Sequence, residues 1–241
     1  MKQNYYYYSL FLVGILLCCV ACKETQTTDN RVIEKKETGS HEEAKELGKI
    51  KPLSFDKQTL PDEIKYLGDI QYGAKWIDKT GENLLLLSQK EGKTKPVKSD
   101  TPTPLTYNLY GYLFNLKGGT FQKVWSFEDS VKDCNLDITC QFLSNSLTIT
   151  DLDSNEIAEV AFLYRKACRG DISPTEQTLL MYEGGRKYIT RGTALILREI
   201  EGKKEQIGGA RRNDEGLKFA HPKFEKFVND RWRVYQEEKM E

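Results

Sequence analysis

Between about residue 65 and residue 200, apolar side chains recur with period two or in short unbroken runs bounded by Gly, Asp and Asn. Side chains alternate between the two faces of a strand, so this pattern predicts a mainly β domain. The expected strands are 70–77, 83–88, 105–116, 121–127, 138–143, 147–150, 159–164, 178–182, 187–190 and 194–198. Lys117-Gly118-Gly119, Ser144-Asn145-Ser146 and Glu183-Gly184-Gly185 sit between strand patterns, as hairpin turns that need positive φ would. After Pro222 the period changes: Phe224, Val228, Trp232 and Tyr235 form one stripe of a helix, with proline suited to its first turn. The stripe predicts a terminal helix packed on a sheet. Residues 89–104 hold three of the prolines among polar residues and predict an exposed excursion between strands.

The start of the chain differs in kind. One lysine, a tyrosine-rich start, an apolar run over 9–17 and then Cys18-Cys19-Val20-Ala21-Cys22 match a secretory signal, with Ala21 as the small residue before the cut. The run is too short to span a bilayer. The pattern resembles the lipobox, with Cys19 where leucine is usual, and implies acylation at Cys22. Residues 1–21 are thus expected to be a lipoprotein signal peptide and 22–60 a lipidated, disordered tether, with a short helix at 41–47. Residues 61–241 are expected to be a single β-rich domain, an antiparallel sandwich or a partial propeller-like fold closed by the C-terminal helix. The implied localisation is export and lipid anchoring in a bacterial envelope, at the outer membrane, with the membrane as partner.

Charge narrows the partners. The chain has 36 basic and 36 acidic residues, and loss of 1–21 removes only Lys2, leaving a net charge of −1. Basic and acidic residues are interleaved throughout, so no stripe of positive charge tracks a phosphate backbone and no nucleic acid partner is expected. Three cysteines remain after Cys22, and an odd number leaves one free. Cys134 and Cys168 lie in polar connections and form the preferred disulfide. A simple meander favours Cys140 with Cys168 instead, although Cys140 alternates with Ile138 and Phe142 on an apolar face.

The densest chemistry lies in Asp151-Leu152-Asp153-Ser154-Asn155-Glu156-Ile157-Ala158-Glu159, directly before an apolar strand. Oxygens from Asp151, Asp153, Asn155 and Glu159, with the carbonyl of Ile157, follow the early spacing of a calcium loop, and hard oxygen donors suit Ca²⁺. The stretch resembles the acidic loops of FG-GAP and VCBS-type β repeats. Glu156 stands where such loops favour glycine, so two readings follow: a Ca²⁺ site, or a metal-free acidic hairpin turn. A degenerate second copy, Trp76-Ile77-Asp78-Lys79-Thr80-Gly81-Glu82-Asn83, also leads into an apolar strand and suggests an internal repeat.

Catalytic constellations are scarce. His41 and His221 are the only histidines, no nucleophile elbow accompanies them, and zinc spacing is absent. A glycan-processing reading would have to use Asp151, Asp153 or Asp171 with His221. The stretches 76–83, 125–134, 150–164, 168–174 (Cys-Arg-Gly-Asp-Ile-Ser-Pro) and 181–184 look like a family of bacterial lipoproteins described as surface-polysaccharide or lipopolysaccharide biosynthesis proteins. The resemblance spans about residues 65–235 and implies a role in assembling or maintaining surface glycan, with no active site to carry over. The expectation is a non-enzymatic envelope protein acting with surface glycan or glycan-assembly proteins. The alternative is a calcium-dependent glycan-binding or adhesion module.

Overall fold

The computed structural model describes residues 50–93 and 103–239, all within one compact unit. The expected leader 1–21, the acylation site Cys22, the helix at 41–47 and residues 94–102 of the excursion lie outside the described residues.

Two antiparallel sheets are stacked. The first runs in chain order: β1 (Lys51–Leu53), β2 (Asp69–Asp78), β3 (Gly81–Lys93), β4 (Leu105–Lys117) and β5 (Thr120–Cys134). The second contains β6 (Asp137–Phe142), β7 (Thr148–Thr150), β8 (Glu159–Arg169), β9 (Glu176–Glu183) and β10 (Arg186–Thr193). β11 (Leu195–Ile200) and β12 (Lys203–Gly208) form a separate ribbon, and β13 (Arg211–Asn213) returns to pair with β10. The second sheet has the order β13-β10-β9-β8-β6, with β7 also on β8. Helices α1 (Glu215–Lys218) and α2 (Pro222–Tyr235) follow. Of the two expected architectures, this is the sandwich.

The unbroken apolar runs are explained by layers on both faces of both sheets. In β3, Leu85 and Leu87 enter the core between the sheets, whereas Leu84 and Leu86 face an outer cluster with Ile64, Tyr110, Tyr112 and Phe114. In β8, Val160, Phe162 and Tyr164 point inward, while Ala161 and Leu163 point out toward the helices. Trp125 of β5 stacks on Tyr182 of β9 across the core, with ring centroids 4.0 Å apart. The expected helix is α2: Phe224, Val228 and Trp232 are buried against Leu163, Leu179, Met181 and Tyr188. Burial of each such apolar side chain contributes roughly 1.5–3 kcal/mol.

Three expectations are corrected. Residues 50–60, assigned to the tether, belong to the sandwich: Ile50 is buried in the inter-sheet core and β1 pairs with β2. Phe55 lies over Gly73, where a β-carbon would collide with its ring, and Leu60 joins the outer cluster. The apolar residues here are single ones separated by polar positions, so their covering role has no periodic signature. Several strands also extend past their expected ends, β5 to Cys134 and β8 to Arg169. Finally, β12 and β13 carry almost no apolar residues and gave no strand pattern.

The disulfide joins Cys134 to Cys168, with Cα atoms 5.6 Å apart, and ties the end of β5 to the end of β8 across the sandwich. Register excludes the alternative. Ile138 stands opposite Cys168, whereas Cys140 stands opposite Lys166, two positions away and buried in the core as a free thiol. A diagonal offset of that kind separates Cα atoms by about 7 Å or more, beyond ordinary disulfide reach.

Candidate metal centre

The acidic loop joins β7 to β8 at the end of the sandwich remote from the disulfide. Its backbone is held tightly. Asp153 Oδ1 accepts the Asn155 N–H at 3.1 Å, and Asn155 Oδ1 accepts the Ile157 N–H at 2.7 Å, two successive side-chain turns that curl the loop. Ser154 and Glu156 both adopt positive φ, 67° and 69°. The glycine-favouring geometry read at position six is therefore present although Glu156 occupies it. For a non-glycine residue this region costs on the order of 1–2 kcal/mol. Neighbours hold the turn: the Lys79 N–H donates to the Glu156 carbonyl at 2.8 Å, and the Glu156 N–H faces the Asp151 carboxylate at 3.3 Å.

Three carboxylates converge. One oxygen from each of Asp151, Asp153 and Glu159 lies within 4.8 Å of the others, and this group could hold a metal ion. Glu159 is the decisive member. It has no solvent exposure, and its Oε2 accepts the Leu152 N–H at 2.8 Å and the Thr150 hydroxyl at 3.1 Å, while Oε1 has no hydrogen-bond partner. Burial, opposed by the Leu152 and Thr150 hydrogen bonds and reinforced by the Asp153 charge, pushes its carboxyl up to about 7. A buried anion with a spare oxygen beside two further carboxylates is matched by a cation, which would relieve both desolvation and repulsion.

Of the other expected ligands, Asn155 is engaged differently. Its amide nitrogen donates to Asp153 Oδ2 at 2.9 Å and to Glu183 Oε1 at 2.7 Å, so it orients the cluster from the side. Ile157 follows it in the turn, its N–H bonded to Asn155. The triad offers hard oxygen donors alone.

The second acidic turn meets the first. Asp78 Oδ2 accepts both the Trp76 indole N–H at 3.0 Å and the Ala158 N–H at 3.1 Å; Asp78 Oδ1 accepts the Thr80 N–H at 2.7 Å. The β2–β3 turn thus staples the acidic loop to the first sheet. Sequence spacing singled out both turns, but their contact was invisible to it. The residues of the glycan-processing reading are not assembled: Asp171 follows the far end of β8, where it accepts the Ser173 N–H, and His221 accepts the Lys223 N–H as the N-cap of α2. The Arg169 guanidinium beside Asp171 pairs with Glu238 at 2.6 Å.

Scans of the chain against protein-family models, curated proteins and solved structures give no match. No helix among the described residues is long and apolar enough to cross a membrane.

Proposed function

We propose that this is an exported, lipid-anchored envelope protein, acylated at Cys22, whose folded sandwich supports production or display of a surface polysaccharide without turnover, and that its acidic loop takes Ca²⁺ as a structural clamp. The observation that carries the clamp is the unpartnered Oε1 of Glu159, buried beside Asp151 and Asp153. Flexible all-oxygen coordination favours Ca²⁺ over Mg²⁺, which demands stricter octahedral geometry, and over softer transition metals. The inter-sheet disulfide supports residence outside the reducing cytosol. The signal-like start and the family resemblance supply the envelope and the glycan.

The test is genetic. Deleting the chain from its host and resolving the surface glycan by electrophoresis should show lost or altered polysaccharide. Wild-type complementation should restore it, and Cys22→Ala or Asp153→Asn should restore it less. A glycan unchanged by the deletion overturns the reading.

A calcium-dependent glycan-binding module is the second reading, favoured by a small cavity whose wall includes Ile157 and Ala158 of the acidic loop.

A further inference from the structure

Strand register sets two glutamates directly opposite each other beside the acidic loop. Glu159 opens β8, Glu183 closes β9, and the two are Cα partners. Opposed residues of an antiparallel pair share one face, with β-carbons about 4.5–5.5 Å apart, and like charges placed so are destabilising. The face is the helix side of the second sheet, since Ala161 and Leu163 alternate onward from Glu159, and Met181 and Leu179 back from Glu183. The other end of the same pairing sets Lys166 opposite Glu176, an ordinary attractive pair. Two carboxylates opposite each other at the acidic end therefore call for a reason.

The two glutamates are used differently. Glu159 belongs to the metal group: it is fully buried, its Oε1 has no hydrogen-bond partner, and one of its oxygens lies within 4.8 Å of those offered by Asp151 and Asp153. Glu183 is not in that group and is half-buried. Its Oε1 accepts the Asn155 amide N–H at 2.7 Å, and the same nitrogen donates to Asp153 Oδ2 at 2.9 Å. Both donors of one amide thus join Glu183 to Asp153. Asn155 Oδ1 accepts the Ile157 N–H at 2.7 Å, so the amide has one orientation: reversing it would set a carbonyl against two carboxylates. Asp153 Oδ1 accepts the Asn155 backbone N–H at 3.1 Å, so both oxygens of this carboxylate are held, and each keeps a lone pair for a cation.

We propose that Glu183 is a positioning residue of the metal centre: through the Asn155 amide it holds the Asp153 carboxylate in the orientation that receives the ion. The inference rests on the Ca²⁺-clamp reading and adds to its site a residue that lies outside the loop. Glu183 suits the task because it stands in the sheet, paired with Glu159 of β8 on one side and with Arg186 of β10 on the other. The loop residue Asn155 is thereby referred to a strand 28 residues further along the chain. Partners that orient a metal ligand from outside the coordination shell typically change affinity by about 10–100-fold.

The experiment titrates Ca²⁺ by calorimetry into the full-length chain in detergent, stripped of metal beforehand, as wild type, Glu183→Ala, Asn155→Ala and the double variant. Glu183→Ala should weaken binding about tenfold. Added to Asn155→Ala it should weaken binding no further, because the route to Asp153 is already cut. In the metal-free protein, Glu183→Ala should also move the Asn155 side-chain amide protons in the NMR spectrum, which reads the hydrogen bond without the ion. Unchanged affinity or unmoved amide protons in Glu183→Ala overturn the positioning role and leave the clamp standing. An equal loss in both backgrounds does the same, making Glu183 a distant charge alone. A wild-type chain that takes up no Ca²⁺ overturns the clamp, and the positioning role with it. Should Asn155→Ala not fold, the affinity and the amide shift of Glu183→Ala decide the matter by themselves.

Discussion

Strand β8 is tied to the first sheet at both ends, and by different chemistry. In its second half, Lys166 and the Tyr164 hydroxyl donate to Asp129 of β5 at 2.6 and 2.7 Å, and near its end Cys168 is bonded covalently to Cys134. At its start, Glu159 is held only by hydrogen bonds and by a loop stapled through Asp78 and Lys79. The carboxylates at the two ends are shifted oppositely. Burial raises both, but at Asp129 the bonds from Lys166, Tyr164 and the Ser130 N–H outweigh it and the net shift is downward. Glu159 lacks a cation and is raised. One end carries its own counter-charge, while the three carboxylates at the other could hold a metal ion.

Breaking the covalent end should have the largest effect. The bond closes a loop of 34 residues, for which chain entropy gives roughly 4 kcal/mol as an upper figure. Cys134→Ser with Cys168→Ser should lower the thermal midpoint by about 10 °C. A shift under 2 °C would show that the two sheets are held by their core alone.

Completing the other end comes next. At a Ca²⁺ concentration a hundred times the dissociation constant, binding to the folded form alone adds about 2.7 kcal/mol. Thermal unfolding in millimolar Ca²⁺ against EDTA should show a rise of several degrees that Asp153→Asn abolishes; no rise would leave a metal-free hairpin turn.

Glu159→Gln sharpens the contrast further. In EDTA at pH 8 it removes a buried, uncompensated charge and should raise stability by about 1–3 kcal/mol, while eliminating the Ca²⁺ response. Destabilisation in EDTA would mean that the carboxylate is already paired.

The smallest effect is expected at Asp129. Its folded-state value lies below the unfolded one, so its contribution is present above about pH 4 and lost as pH falls through the folded value. Asp129→Asn should cost about 1 kcal/mol at pH 7, seen in urea titrations, and should flatten the acid limb of the stability profile. An unchanged acid limb would remove Asp129 as its source.

Much of this is legible in the sequence. The runs around Leu84–Leu87 and Val160–Tyr164, the Gly-Gly turns and the Phe224, Val228, Trp232 stripe are local patterns that burial enforces, and each lies where expected. The acidic loop was legible for the same reason: carboxylates at positions 1, 3 and 9 of a turn converge through backbone geometry alone. Contributions without local periodicity were not. Phe55 and Leu60 cover the first sheet as isolated apolar residues, and the polar ribbon strand β12 is defined by pairing with β11.

By itself the sequence determined that the chain is mainly β, where its apolar strands and terminal helix fall to within a few residues, and which carboxylates share a turn, because these follow from periodicities of two and 3.6 and from contacts a few residues apart. Tertiary structure alone decided that Cys134 and not Cys140 meets Cys168, and that Asp78 staples the acidic loop from a turn 80 residues away. Those facts depend on the register and stacking of two sheets, which no local pattern encodes.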